Sequence, residues 1–163
     1  MEDNKIKIKK LNISDKNEIE QLIQILYLWW GEENGFSREV FEELIKSRCL
    51  GKDIPVVIVA IIADEVVGTI SLVANDLELR QDLYPVITSF FVKENYRNLG
   101  VAKKMMQEMI EHCRNKFGTV YLATDLYAFY EKFGFEYMET CKCSYSLKEN
   151  KINYHKIYRK EID

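Results

Sequence analysis

Eight successive residues, Pro55-Val56-Val57-Ile58-Val59-Ala60-Ile61-Ile62, carry no polar side chain. Their β-branched content predicts a strand, and a strand apolar on both sides has to be covered on both sides. This requirement constrains the fold more than any other feature of the chain, because it calls for a sheet with helices packed on each face. The run through Ala63 is also only about half of the roughly 20 residues a membrane-spanning helix needs.

The rest of the sequence supplies the covering elements. Lys5–Leu11 alternates Ile6 and Ile8 with Lys7 and Lys9, the period of a half-buried strand. Ser14-Asp15 is an N-cap signal, and Leu22, Ile23, Leu26, Trp29 and Trp30 then recur at helical spacing until Gly31. Ser37 opens a second helix carrying Val40, Phe41, Leu44 and Ile45, closing near Cys49–Gly51. Asp64-Glu65 reads as a hairpin turn into a strand over Val66–Val73, and Val86–Val92 is a further strand. Leu99–Phe117 places Val101, Ala102, Met105, Met106, Met109, Ile110, Cys113 and Phe117 on one face of the longest expected helix. Val120–Ala123 predicts a short strand, and Asp125–Phe133 a helix stopped by Gly134. The polar turn Lys148-Glu149-Asn150-Lys151 sits between the strand signals Tyr145–Leu147 and Ile157–Tyr158. A chain of 163 residues with this order of elements is expected to form one domain, 1–163, of mixed α/β class.

Composition narrows the function classes. The 23 Lys+Arg against 26 Asp+Glu give a net charge of −3, without the basic footprint of a nucleic-acid or anionic-membrane binder. Met1–Lys5 leads directly into Ile6 and Ile8 with no secretory pattern. The four cysteines, Cys49, Cys113, Cys141 and Cys143, contain no C-x-x-C pair, and there are 2 His. Cys141 and Cys143 share a strand face but make only half a ligand set, so no metal is expected. Reduced thiols point to a reducing compartment, taken as the cytoplasm.

The chemistry concentrates in two segments. In the first, Thr88–Val92 runs through Lys93-Glu94-Asn95-Tyr96 into Arg97-Asn98-Leu99-Gly100-Val101-Ala102, a strand turning into the long helix through R-x-x-G-x-A. The first N–H groups of a helix lack internal partners and lie at the positive end of its dipole. Glycine there lets a phosphate approach the backbone, and Arg97 adds a charge-assisted contact. Neither G-x-x-x-x-G-K-[ST] nor G-x-G-x-x-G occurs, which removes support for an NTPase or a dinucleotide dehydrogenase. The second segment is Thr124-Asp125-Leu126-Tyr127-Ala128-Phe129-Tyr130-Glu131-Lys132-Phe133-Gly134-Phe135.

In this order and spacing, from about Val56 to Phe135, the two segments resemble the GNAT superfamily of acyl-CoA N-acyltransferases. Asp82-Leu83-Tyr84-Pro85 and Asp125 are similar to a branch of small bacterial members. The resemblance implies a central, mostly antiparallel twisted sheet with helices on both faces. It implies acetyl-CoA as co-substrate, held by Phe90, Phe91, Val92, Arg97, Asn98, Leu99, Gly100, Val101 and Ala102. It assigns Tyr130 to the thioester sulfur. The chain departs from the common R-G-K-G-x-G/A at Asn98 and Leu99, and it has Ala123 where an asparagine is common. Asn98 tolerates a left-handed backbone, so the turn is expected to survive. Leu99 removes a cation near the phosphates, and Ala123 removes one contact to the pantetheine arm.

An expelled thiolate needs a proton, and a tyrosine of ordinary pKa about 10 is protonated at pH 7 and can supply it. A lysine-like acceptor amine must first lose one, to a carboxylate or to water linked to one; Glu32, Glu33, Asp76, Glu78 and Asp82 are the candidates. Cys113 as a nucleophile would need a histidine, and His112 points about 100° away on the same helix. Trp30, Glu32, Glu33, Phe36 and Asp82 are the acceptor-side candidates. The cluster Tyr27, Trp29, Trp30, Phe36 reads either as core packing or as a substrate wall, and Tyr127 either as a packed aromatic or as a cleft residue. The expected partner is a small-molecule primary amine, with neither nucleic acid nor membrane, and the protein is expected to be a monomer or homodimer. A protein N-terminal or lysine acetyltransferase and a non-catalytic acyl-CoA-binding module remain as alternatives.

Overall fold

The computed structural model describes residues 5–163; Met1–Asn4, read above as part of a non-secretory start, lie outside the described residues. Strand β1 (Lys7–Lys10) is followed by helices α1 (Lys16–Leu26) and α2 (Arg38–Arg48), then by β2 (Val56–Ile62), β3 (Glu65–Val73) and β4 (Val86–Val92). Helix α3 (Val101–Cys113), β5 (Thr119–Thr124), β6 (Glu136–Ser146) and β7 (Lys151–Glu161) complete the chain. The strands form one seven-stranded sheet in the order β1-β2-β3-β4-β5-β7-β6. Every neighbouring pair is antiparallel except β4–β5. This is the mixed α/β architecture the sequence implies.

Strand β2 is buried at every position, and its side chains alternate between two cores. Val56, Ile58, Ala60 and Ile62 pack beneath α3 with Met105, Met106, Met109 and Cys113. Val57, Val59 and Ile61 face the other way, against Leu22, Ile23 and Leu26 of α1 and Phe41 and Ile45 of α2. Each fully buried aliphatic side chain contributes about 1.5–3 kcal/mol. A charge introduced anywhere on β2 would therefore strand itself in one layer or the other.

Several boundaries differ from expectation, each for a local reason. Helix α1 stops at Leu26, and Tyr27–Gly31 widens into a π turn. Gly31 is needed there because a Cβ would meet the Phe41 ring at 2.5 and 2.9 Å. The first hairpin turns on Ala63 and Asp64, at φ 47° and 61°, the left-handed pair that suits a two-residue turn. Helix α3 has 13 residues, so it spans about 20 Å, and ends where Arg114 leaves helical geometry at ψ 138°. Asp125–Phe133 is not an α-helix: only Tyr130–Phe133 coil, as a 3₁₀ turn. The Thr124 hydroxyl accepts from Leu126 N at 3.0 Å, and the Asp125 carboxylate and carbonyl are taken by His155 and Lys156 of β7. These side-chain bonds compete with helical ones. The terminal hairpin forms around the expected turn but is longer, with 11 residues in each strand.

Candidate active site

The site begins with a fault in the sheet. Parallel strands β4 and β5 share a single register pair, Val86–Tyr121, and diverge beyond it. On its other side β4 stays paired with β3 up to Val92–Gly68. The edge of β4 from Thr88 to Val92 therefore turns backbone groups toward an open wedge, where an extended ligand can take the place of a strand. Strand β4 also bulges: Ser71 faces Thr88 and Thr69 faces Phe91, so Ser89 and Phe90 together oppose Ile70. Ser89 adopts φ 52°, unusual for a residue with a side chain. A bulge of this kind re-aims side chains, and here it sends neighbours to opposite faces. Phe90 packs toward α3, against Phe129 and Tyr130, whereas Phe91 meets Trp29 at 4.5 Å between ring centroids.

The wedge leads to the N-terminus of α3. Asn98 takes the left-handed backbone expected of it, at φ 62°. Gly100 is the N-cap residue at φ 83°, with nothing within 4 Å of the position its Cβ would occupy. The first helical bond runs from Lys104 N to Gly100 O at 3.1 Å, so the N–H groups preceding Lys104 have no helical partner. Arg97 donates through Nε to Val92 O at 3.0 Å, which ties the turn to the end of β4 and leaves its other N–H groups available. Leu99 is an exposed apolar rim, while the Val101 side chain belongs to the core and offers only its backbone. An anion at this turn meets free N–H groups, the helix dipole and one guanidinium. Together, wedge and turn fit a diphosphate followed by an extended amide-bearing arm.

Tyr130 lies at the same wedge, at the start of the 3₁₀ turn. Its relative exposure is 8%, and it is the more buried of the Phe129–Tyr130 pair. Its ring is packed among Phe129 (5.0 Å), Phe135 (6.1 Å), Phe90 and Tyr158 (both 6.2 Å). Burial pushes its hydroxyl up to about 12, opposed in part by the Thr124 side chain at the end of β5. The hydroxyl is thus protonated beside the strand that diverges from β4.

On the face of α1 and α2 the aromatic cluster divides: Tyr27 packs against the core, whereas Trp29, Trp30 and Phe36 are partly exposed. Trp29 and Trp30 are about half exposed; Trp30 stacks on Phe36 at 5.2 Å and meets Phe41 edge-on at 5.7 Å. Glu32 and Glu33 are exposed in the adjoining loop, whose Glu33 carbonyl accepts from Lys148 in the β6–β7 turn. Asp82 stands elsewhere: Arg80 holds it at 2.8 Å while also binding Glu139 at 2.7 Å, and this pairing keeps the Asp82 carboxyl below its usual range. Asp76 and Glu78 are exposed. Tyr127 is 80% exposed, with the Lys156 ammonium 3.7 Å above its ring. Cys113 is fully buried and its thiol is pushed up to about 11 by desolvation, whereas His112 bonds outward to Asp53 O at 2.8 Å. Cys141 and Cys143 do sit side by side, with sulfurs 3.4 Å apart, but among the described residues no group of three His, Cys, Asp or Glu could hold a metal ion.

Sequence reasoning missed Arg48, the last residue of α2. Its side chain runs under the α2 face to donate from Nη1 to Ser89 Oγ, at 3.0 Å, on the bulge itself. The residue is 8% exposed, and burial lowers its guanidinium from the usual range. The signal was present in β3, where Thr69 and Ser71 interrupt the run from Val66 to Val73 that is otherwise without polar side chains.

Comparison with known proteins agrees with this geometry. Residues 19–135 match the family model described as Acetyltransferase (GNAT) family. No curated protein matches the sequence. Among solved structures, aminoglycoside 6'-acetyltransferase type Ii superposes with a TM-score of 0.73 at 20% identity, covering 96% of this chain and 97% of that one. An aminoglycoside 6'-N-acetyltransferase complexed with coenzyme A gives 0.73 at 17% identity, with 96% and 97% covered. NAA60 of Arabidopsis thaliana, in complex with a bisubstrate analogue, gives 0.70 at 18% identity, with 98% and 99% covered. Among the described residues no helix is long and apolar enough to cross a membrane. The family match spans the diverging strands, the turn into α3 and the aromatic Gly-Phe segment alike, and on that ground the chain belongs to the GNAT family of acetyltransferases.

Proposed function

We propose that the protein transfers the acetyl group of acetyl-CoA to the primary amine of a small molecule, as one domain. The observation that carries this reading is the convergence of three elements on one wedge: the unpaired edge of β4, the left-handed Arg97–Gly100 turn, and the Tyr130 hydroxyl. In this reading the Arg97–Ala102 backbone holds the diphosphate, and Phe90, Phe91 and Val92 hold the arm and thioester. As the amine nitrogen bonds to the acetyl carbon, the carbon–sulfur bond breaks. Tyr130 gives its proton to the departing thiolate, and the proton lost by the amine leaves through water. Glu32 and Glu33 are the carboxylates beside the aromatic wall that can receive it; Asp82, paired with Arg80, is the weaker base.

The wall of Trp29, Trp30 and Phe36 and the lysine-bearing β6–β7 turn bound a cleft suited to a small acceptor. The aminoglycoside acetyltransferases among the structural neighbours support a small amine, whereas the neighbour NAA60 supports a peptide acceptor as the second reading. A scan of small amines and peptides with free-thiol detection separates them. Small amines are expected to release CoA; turnover of peptides alone favours the second reading. Saturable CoA binding with no acceptor turned over leaves only a binding module.

A further inference from the structure

The acetyl-transfer reading leaves the acceptor undefined, and the α2 side of the β4 bulge narrows it. Arg48 has five N–H donors, of which one is given to Ser89 Oγ. Among the described residues no carboxylate lies within 4 Å of it, although it is more than nine-tenths buried. A buried guanidinium without a counter-anion is costly unless an anion completes it. On the same sheet face two further polar groups stand alone: Thr69 Oγ1 and Ser71 Oγ are buried with no hydrogen-bond partner. Their positions follow from register, since Thr69 pairs with Val59 and Ser71 with Val57, both in the core beneath α1 and α2. Across β4, Ser71 faces Thr88 and Thr69 faces Phe91, so the two hydroxyls flank the bulge that Arg48 touches.

We propose that the acceptor amine also carries a carboxylate, and that Arg48 with the Ser71 and Thr69 hydroxyls holds that carboxylate beside the β4 bulge. A planar guanidinium matches a carboxylate in a two-bond fork, and hydroxyl donors suit its remaining lone pairs. The charge balance favours a monoanion over a phosphate. Arg48 is a single buried cation at this bulge, so one carboxylate neutralises it whereas a phosphate dianion would leave a net charge buried. The scale favours a single small molecule: Ser89 and Phe91 are two residues apart, about 7 Å along a strand. An amine positioned against Phe91 and Trp29 and a carboxylate at Arg48 thus fit an amino acid whose reacting amine, such as a side-chain amine, lies several bonds from its carboxylate. A polycationic acceptor would be repelled by the same guanidinium.

This inference rests on the acetyl-transfer reading, and the test separates the two. Free L-amino acids are compared with their uncharged carboxamides and with a polycationic aminoglycoside. Thiol release gives kcat/KM, and calorimetric titration in the presence of CoA gives binding. In the unsubstituted protein at least one free acid should exceed its carboxamide by about 10- to 100-fold, the range of a charged hydrogen-bond pair. In Arg48→Gln that ratio should fall to within about threefold, and in Ser71→Ala it should fall several-fold. If Arg48→Gln fails to fold by circular dichroism, Ser71→Ala decides, because it deletes only an unpartnered hydroxyl. Equal handling of acid and carboxamide, preference for the aminoglycoside, or an Arg48→Gln loss that is the same for acid and carboxamide would overturn the carboxylate site while leaving acetyl transfer intact. Acid binding that depends on Arg48, with no amine acetylated, would uphold the carboxylate site and end the acetyl-transfer reading.

Discussion

Replacing Tyr130 by Phe removes one oxygen from the centre of the wedge. The ring keeps its contacts with Phe90, Phe129, Phe135 and Tyr158, so packing is conserved. The neighbouring Thr124 hydroxyl still accepts from Leu126 N at 3.0 Å. Even the loss of one neutral hydrogen bond, worth about 1 kcal/mol, would move Tm by only roughly 2–4 °C in a chain of this size. If the hydroxyl protonates the departing thiolate, kcat should fall by about 10²–10⁴, or roughly 3–5 kcal/mol in the barrier. CoA affinity should change little. Because burial holds the Tyr130 hydroxyl at about 12, it stays protonated well above neutrality, and the wild-type rate should show no alkaline loss from this group below about pH 11. Its folded value lies above the unfolded value of about 10, so its contribution to stability is present below pH 10 and is lost as pH rises towards 12. Tyr130→Phe should flatten that alkaline loss in denaturant titrations. The assay is single-turnover thiol release with an acceptor from the scan above, alongside thermal melts. A Phe variant that transfers acetyl at near wild-type rate when chemistry is rate-limiting would refute the assignment.

Four further outcomes are expected. Gly100→Val should abolish CoA binding measured by calorimetry, since its side chain would project into the open approach to the α3 N-terminus and demand φ 83° of a β-branched residue; Arg97→Ala should cost about 1–2 kcal/mol in the same titration. Gly31→Ala should lower stability by roughly 1–3 kcal/mol in urea unfolding, because the new Cβ would meet the Phe41 ring at 2.5 Å, and should loosen the Trp30–Phe36 stack that Phe41 supports, seen as a shift in tryptophan fluorescence. Alkylation near pH 8 should modify Cys141 first in the native protein, because Cys49, Cys113 and Cys143 are buried with thiols pushed up to about 11, and should reach all four only on unfolding.

Local pattern carried much of this protein. The apolar run at Pro55–Ile62 required a sheet covered on both faces, and β2 is buried at every position between two separate helix layers. The Arg97–Ala102 turn was equally legible: Asn98 and Gly100 take the left-handed backbone their side chains permit, and the helix begins where the orphan N–H groups are needed. Periodicity and backbone preference act over a few residues, so one chain segment suffices to read them. Where long-range contacts overrode them, the sequence misled. Asp125–Phe133 has helical composition, yet bonds from His155 and Lys156, 30 and 31 residues away, hold it in turns. Tyr130 consequently sits in a 3₁₀ turn rather than on an α-helix. The divergence of β4 from β5 and the Ser89 bulge depend on strand pairing across the whole sheet, which no local window contains. Arg48 reaches Ser89 across 41 residues, and Trp29 meets Phe91 across a still longer stretch of chain. Those contacts exist because two layers pack face to face, and packing sums interactions between segments whose separation along the chain carries no record of their approach.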